Sequence, residues 1–563
     1  MNVGEMQRKL SLWATQNKEH RFFDLYHLLY DTDWLRLAHD YVAQNAGSKT
    51  AGCDGVDMRF FDENLEANLQ ALAQELKSET FQPQPVRRVH IPKANGRTRP
   101  LGIHSIRDRI VQEALRMILE PIYEADFYQN SYGFRPNRCT MDAVKRVAAS
   151  TLGNRTYYWA IEGDLSSYFD TIQHRKLMKI IQRRIADNKI QRLIWKFLRA
   201  GVMEGKLFRS TTEGVAQGGI VSPLLANVYL SELDRYMEQY TSLSATAKRK
   251  RRVSGLANFI YSRYCDDFVV LCNGTKAQAK AMKEELSLFL MSHLRVKLSD
   301  EKTKVTHLND GFKFLGFRIE RSLNARRELK TKVLIPKEAM QKFKDKICVI
   351  TAPGTHQDSL NSKILALNRV IGGWCRYYQY TGRASTQFAK LRPFVFWKVA
   401  HWIGRKYKIS MPEIMKRYYV GSTLATDQYR LMMPNEIKTK IYRPSVIKPN
   451  PYLMQEILLD REELPDEVFW TGFERRPGTE DLRPLVLARD GYVCQICEKL
   501  VTPSSYQLDH IKPCRKFKLP VEANRPENLW ILCLECHEAK TNAERRIESR
   551  DALKGARPVW KGE

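Results

Sequence analysis

Three carboxylates and a C-terminal cluster of cysteines and histidines are the residues of this chain whose types and spacing could do chemistry. Asp164 falls in the strand-like run Tyr158 to Phe169 (YWAIEGDLSSYF), while Asp266 and Asp267 fall in the hairpin-like run Ile260 to Leu271. Neighbouring carboxylates among apolar strand residues repel each other and are poorly hydrated, so they persist most easily where a cation neutralises them. Three of them on adjacent strands could hold two Mg²⁺ ions for in-line phosphoryl transfer, one activating a 3′-hydroxyl and the other stabilising a leaving pyrophosphate. The plain alternative is a turn with a solvated Asp-Asp pair, the ordinary reading of such a dipeptide standing alone.

The second constellation is two CxxC pairs, Cys494 with Cys497 and Cys533 with Cys536, separated by 35 residues. Four thiolates at this spacing can close a tetrahedral structural zinc site, the alternative being free core thiols. A module with so little apolar sequence would draw much of its folding energy from the metal. Between and after the pairs stand Asp509 and His510 (QLDHIKP), Asn528 (PENLWIL) and His537 (LECHEAK). Without further context these are incidental polar residues of a zinc ribbon. Of eleven cysteines the other seven are scattered singly, and Cys514 fits neither constellation. In a chain that is not secreted, such usage points to metal rather than disulfides.

Elements must position these groups. The 563 residues are too many for one core and predict roughly three or four domains. With 43% hydrophobic and 10% aromatic residues, the chain can bury sizeable cores and is not a disordered polymer. Its formal charge of +29, from 92 Lys and Arg against 63 Asp and Glu, points to a polyanionic partner, nucleic acid ahead of anionic membrane. No apolar run approaches the roughly 18 residues of a membrane span, and the N-terminus lacks the apolar core of a signal peptide. A soluble protein of a reducing compartment is therefore expected, with no membrane partner.

Residues 1 to about 80 read as largely helical, interrupted by a polar loop from Asn45 to Asp57. From Phe81 to about Glu320, β-rich runs (VRRVHIP, YYWAIEGDL, FIYSRYCDDFVVLC, FKFLGFRIE) alternate with helical stretches in an α+β pattern. Five consecutive basic residues, Lys248 to Arg252, read as a solvated loop that could touch a phosphate backbone. From Thr331 to Asn450 the pattern is mainly helical, with 22 Lys and Arg against 6 Asp and Glu, a net +16. Aromatics are interleaved there, as in GGWCRYYQY and FVFWKVAHWIGRKYK. They fill a helical core or, where exposed, stack on unpaired bases while the charge binds phosphates. The stretch RPSVIKPNPYL then reads as a linker.

Between Val86 and Phe317 seven ordered blocks resemble group II intron reverse transcriptases. They are IPKANGRTRPLGI, YGFRPNRC, EGDLSSYFDTI, GVAQGGIVSPLLANVYL, YCDD, DEKTKV and GFKFLGF. The family more often has Ala at the position of Cys265, so at most slightly altered substrate handling is expected. The resemblance implies a right-hand polymerase, with fingers and palm at 81–325 and an N-terminal extension at 1–80 whose loop is SKTAGCDG. It implies that Asp164, Asp266 and Asp267 hold two Mg²⁺ ions and that Phe169 excludes a 2′-hydroxyl. Lys93 and Arg99 would meet the triphosphate, Gln217 would line the nucleotide pocket beside Gly218 and Gly219, and Lys302 would help neutralise pyrophosphate.

LNRVIGGWCRYYQY resembles the maturase motif, implying a helical thumb (X) domain at 331–440 that binds the intron RNA and assists its splicing. A linker or DNA-binding region at 441–479 and an HNH domain at 480–563 complete the expected order. The C-terminal cluster resembles a zinc-stabilised ββα-metal HNH module. On that resemblance His510 is the general base, Asp509 and His537 bind one Mg²⁺ or Mn²⁺, and Asn528 braces the loop orienting His510. Arg515, Lys516 and Lys518 would hold DNA phosphates nearby. The whole implies a multidomain α+β enzyme of retrohoming: reverse transcriptase, maturase and HNH endonuclease. Its partners would be group II intron RNA, target DNA and dNTPs, in a bacterial cytoplasm or, alternatively, an organelle. A splicing maturase with a dispensable polymerase is opposed by the intact carboxylates, and an intron-independent reverse transcriptase by the basic helical region and HNH-like tail.

Overall fold

The computed structural model describes residues 2–92, 96, 98–151, 157–205, 207–323, 329–442, 450–453, 486–487, 489–491, 493–501, 506–512 and 525–540. They fall into two compact units, residues 1–18, 121–126 and 446–563 in one and residues 19–120 and 127–445 in the other.

The larger unit contains three sheets of three or four strands. In the first, β1 (Val86–Pro92) pairs antiparallel with β2 (Thr98–Ile103) and parallel with β4 (Val202–Glu204), which pairs with β5 (Leu207–Arg209). In the central sheet β3 (Trp159–Gly163) lies between β7 (Asp267–Cys272) and β8 (Lys304–His307), and β6 (Phe259–Tyr264) flanks β7. After Asp267 every residue of β7 is buried, so both faces of the sheet are covered. Helices Thr140–Ala149 and Ser222–Thr241 lie against β6, and helix Lys276–Phe289 against β3 and β8. Helix Ser222–Thr241 starts with Pro223 in its first turn and is buried continuously from Leu224 to Leu230, as its apolar run demands.

A third sheet, β9 (Phe312–Phe314), β10 (Phe317–Leu323) and β11 (Leu329–Leu334), leads into the helices Lys337–Ile350, Leu360–Tyr378, Ala384–Tyr407 and Met411–Tyr418. Thr331 to Leu334 thus belong to a strand, and a short hairpin, β12 (Tyr419–Val420) with β13 (Thr423–Leu424), follows the helices. Phe343, Leu367, Ile371, Phe388 and Trp402 share one apolar core with Phe317 and Ile319.

Two expectations require correction. The basic run Lys248 to Arg252 lies within a helix, Ala245–Val253, rather than a loop. Ser244 caps it, Lys248 Nζ donates to the Thr241 carbonyl (3.2 Å), and Arg251 donates to that of Ala257 (2.8 Å). Its last-turn cations suit the helix macrodipole, which compensates for the missing apolar face. The run Tyr158 to Phe169 is strand only to Gly163; Phe169 sits on the helical turn Tyr168–Thr171.

The smaller unit contains helix Val3–Gln16 and a C-terminal hairpin, β14 (Tyr506–His510) with β15 (Leu529–Cys533), followed by helical residues 534–540. A small core of Val486, Leu487, Cys494, Val501, Leu529, Ile531 and Leu532 supports the hairpin. The linker stretch lies outside the described residues apart from Asn450 to Leu453.

Candidate functional site

Register brings the carboxylates together. Gly163, at the end of β3, faces Phe268 across the ladder, so Asp164 emerges beside the turn of the β6–β7 hairpin. A Cβ on Gly163 would stand 2.2 Å from the Phe268 ring, hence the glycine. Tyr264 pairs with Asp267, leaving Cys265 and Asp266 as a two-residue turn. Cys265 is buried with φ +57°, a left-handed conformation costly for a residue with a side chain.

The electrostatics match this crowding. Burial, and then the charge of Asp164, raises the Asp266 carboxyl above its usual range, against a lowering contribution from Arg99. Asp267 is raised to about 6, by desolvation first and then by Asp266 and Asp164, while Lys302 lowers it. The residue remains solvent-accessible, but the protein packed around its carboxyl displaces water from it. Lys302 Nζ bonds both oxygens of Asp164, at 3.0 and 2.9 Å. The ligating oxygens of all three aspartates do not converge within 4.8 Å of one another, a spacing reached among the described residues only by the four thiols below. A pair of ions roughly 3.5–4 Å apart does not require such convergence, and mutually repelling acids fit divalent cations.

Of the predicted nucleotide-side residues, Lys302 meets Asp164, Arg99 acts on Asp266, and the segments of Phe169 and Gln217 are tied to each other and to β2. The Val215 amide donates to the Phe169 carbonyl (2.7 Å), and Gly102 donates to that of Gln217 (2.6 Å). At φ +115°, Gly218 brings its backbone against β2, and a Cβ there would stand 2.4 Å from the Gly102 oxygen. Gln217 reaches Asp170 at 3.5 Å and lines a cavity of about 250 Å³ with Arg88, His104 and Gln112. His104 and Gln112 carry no motif that marks them in sequence. They meet at 3.0 Å, and burial lowers the histidine to about 4. Arg99 is exposed on β2, and Lys93 lies outside the described residues.

In the basic helical region much of the aromatic content is structural. Tyr377 and Tyr378 donate to the carbonyls of Leu315 and Gly316 (2.7 and 3.0 Å), clamping a turn whose two residues both have positive φ. Trp402 is buried, while Trp397, Tyr407 and Tyr419 remain exposed among cations such as Arg405, Lys408 and Lys416.

At the C-terminus, the Sγ atoms of Cys494, Cys497, Cys533 and Cys536 all lie within 4.8 Å of one another, and Cys497 and Cys533 are 3.7 Å apart. Burial raises the Cys494 thiol, but backbone N–H donors of Cys533, Cys497 and Ile496 outweigh it and lower it to about 6. Four converging sulfurs, with backbone N–H donors aimed at one of them, suit zinc. Asp509 and His510 end β14 opposite Trp530 and Leu529. The Asn528 side chain accepts from the Lys512 amide (2.8 Å) and donates to its carbonyl (3.0 Å), fixing the chain just past His510. Lys540 Nζ bonds Asp509 and the His510 carbonyl, both at 2.8 Å. His537 lies one turn before Lys540 on helical residues 534–540, so the helix face carrying it meets the end of β14. Cys514, Arg515, Lys516 and Lys518 lie outside the described residues.

Three family profiles match the chain in order. Residues 91–319 match reverse transcriptase (RNA-dependent DNA polymerase), 340–419 the group II intron maturase-specific domain, and 494–543 HNH endonuclease. Protein YkfC of Escherichia coli is 43% identical over 61% of this chain and 95% of its own length. The group II intron-encoded protein LtrA of Lactococcus lactis is 28% identical over 94% of this chain and 97% of its own. A putative COX1/OXI3 intron 2 protein of Saccharomyces cerevisiae is 30% identical over 52% of this chain and 38% of its own. No described helix is long and apolar enough to cross a membrane. The chain belongs to the group II intron-encoded proteins, combining a reverse transcriptase, a maturase domain and an HNH endonuclease in one multifunctional polypeptide of retrohoming.

Proposed function

We propose that this chain carries out target-primed reverse transcription, nicking DNA through residues 480–563 and extending the nick through residues 81–325, with intron RNA gripped by 331–440. An N-terminal extension at 1–80 and a linker at 441–479 complete the arrangement. Two Mg²⁺ ions on Asp164, Asp266 and Asp267 would activate the primer 3′-hydroxyl and stabilise pyrophosphate. Phe169 contacts the sugar and excludes a 2′-hydroxyl, and Gln217 lines the nucleotide pocket. Arg99 and Lys93 meet the dNTP triphosphate, and Lys302 exchanges Asp164 for the pyrophosphate.

In the C-terminal module, zinc on the four thiolates would supply folding energy, and one Mg²⁺ or Mn²⁺ on Asp509 and His537 would stabilise the leaving 3′-oxyanion. His510 takes a proton from water through its neutral imidazole, and Asn528 holds the loop that aims it. The bacterial relatives favour a bacterial cytoplasm, with an organelle as the alternative.

The observation carrying this reading is the meeting of Asp164, Asp266, Asp267 and Lys302 at one end of the central sheet. Its test is primer extension on an RNA template: Asp266→Ala should abolish cDNA synthesis while leaving intron RNA affinity intact. Retained extension would remove the carboxylates from the polymerase.

A further inference from the structure

Beneath the catalytic hairpin lies a charged network to which no role in the reaction is assigned. Arg263 on β6 and Asp234 on helix Ser222–Thr241 have side chains 0% and 2% exposed. Arg263 Nε donates to Asp234 Oδ1 at 2.8 Å, and Nη2 donates to Oδ2. Tyr261, also fully buried, donates its hydroxyl to Asp234 Oδ1 at 2.9 Å. The remaining guanidinium nitrogen, Nη1, points at the catalytic turn. It donates to the Cys265 carbonyl at 3.0 Å and to Asn227 Oδ1 at 2.9 Å.

Asn227, on the same helix as Asp234, donates in turn to the Gly133 carbonyl at 2.8 Å. Gly133 abuts the turn so closely that a Cβ there would stand 2.5 Å from the Cys265 amide nitrogen. The chain before it is laced to Arg263, whose amide donates to the Asn130 carbonyl while its own carbonyl accepts from Tyr132, both at 2.9 Å. The left-handed Cys265 is therefore held from two sides, by Gly133 and by the guanidinium beneath its carbonyl.

A buried ion pair is weak evidence for stability, because well-packed apolar residues of similar volume often do as well or better. A planar fork that satisfies one carboxylate, one amide and one strained carbonyl together supplies geometry. We propose that Arg263, oriented by Asp234 and Asn227, is a positioning residue for polymerisation: it fixes the Cys265 carbonyl and so the placement of Asp266 and Asp267. The proposal rests on those aspartates being the polymerase metal ligands.

The test uses the full-length protein in primer extension, with Mg²⁺ titrated and dNTP varied. The pair Arg263→Met with Asp234→Leu removes the fork without leaving a buried charge unpaired, and Arg263→Lys keeps the charge but loses the fork. Both should retain primer–template affinity and dNTP KM. Their kcat should fall, by about 100-fold in the double variant as for a misplacement near 1 Å, and their Mg²⁺ midpoint should move to higher concentration. Wild-type kcat and Mg²⁺ midpoint in a folded double variant would overturn the proposal, as would a raised dNTP KM at unchanged kcat. Should the double variant not fold, Arg263→Lys decides alone, and normal kcat there overturns it equally. Asp266→Ala run in parallel keeps the two readings apart: activity in that variant refutes the metal-ligand assignment, whereas its inactivity beside fully active Arg263 variants refutes only the positioning role.

Discussion

Lys302 places its ammonium 3.0 and 2.9 Å from the two carboxylate oxygens of Asp164. Lys540 donates to one carboxylate oxygen of Asp509 in the C-terminal module, at 2.8 Å. In both places a lysine ammonium pairs with a carboxylate that the proposed function gives to a divalent ion. Asp164 is thereby paired within the protein, while Asp266 and Asp267 stay raised, both by burial and by Asp164, and Asp267 by Asp266 as well.

That imbalance sets a pH dependence. Asp267 titrates near 6 in the folded chain against an ordinary 3.8. The folded protein keeps this proton over a window in which the unfolded chain has lost it. Stabilisation by the neutral acid is therefore complete below 3.8 and disappears as pH rises through 6. Mg²⁺ held at the carboxylates would offset the loss. The rise in melting temperature on adding Mg²⁺ should be larger at about pH 7.5 than at about pH 5, and Asp267→Asn should flatten the difference. An increment independent of pH would place Mg²⁺ binding elsewhere.

Phe169 is held by Val215 through a backbone hydrogen bond and by an edge contact with buried Tyr168, so its ring has little freedom to retreat. Phe169→Val should raise ribonucleotide incorporation relative to deoxynucleotide by about 10- to 100-fold, the discrimination that steric pocket contacts supply. The ratio of kcat/KM for a matched rNTP and dNTP pair measures it, and an unchanged ratio removes Phe169 as the gate.

The exposed cations of the helical region should act as phosphate contacts. Charge removal at Arg369, Arg376, Lys390 and Arg405, all exposed, should weaken intron RNA binding and flatten its salt dependence. Each lost contact should reduce the logarithmic slope by about 0.7 to 0.9. Equal slopes for variant and parent would assign RNA binding to another surface.

The contrast between legible and hidden features is physical. Asp164, Asp266 and Asp267 stood out because acids interrupt apolar strands, and the four thiols because their spacing has few other uses. Register sets Asp164 beside the turn carrying Asp266 and Asp267, and the four sulfurs converge within 4.8 Å. The basic run Lys248 to Arg252 reads as a loop because it has no apolar periodicity, whereas a Ser244 cap and two tethered cations make it a helix. Tyr377 and Tyr378 read equally well as base-stacking groups until their carbonyl partners, 62 residues away, were visible. Arg263 was invisible for the same reason, since an arginine in a strand reads as an exposed position until a helix residue 29 positions earlier neutralises it. Local pattern reports chemistry that a strand cannot otherwise tolerate, whereas long-range pairing leaves no local mark.

The last prediction separates structure from chemistry in the C-terminal module. Cys494, Cys497, Cys533 and Cys536 converge on one point, and the apolar core beside them is small. Replacing any one by Ser should release zinc and unfold the module, because metal affinity there is folding energy. His510 contributes its backbone to β14, and the loop after it is held by Asn528, so these ties persist when the imidazole is removed. His510→Ala should keep zinc and fold yet lose divalent-dependent nicking by about 100-fold or more, the usual contribution of a positioned general base. Asn528→Ala should fall between, since it frees the loop at Lys512 while leaving the thiols alone. Primer extension from a supplied 3′ end should survive all three, because the polymerase carboxylates belong to the other compact unit. Zinc content, strand cleavage and primer extension measured on the same purified variants give the answer. Normal cleavage by His510→Ala would exclude it as the base, and loss of zinc together with cleavage would leave a zinc ribbon that holds DNA without cutting it.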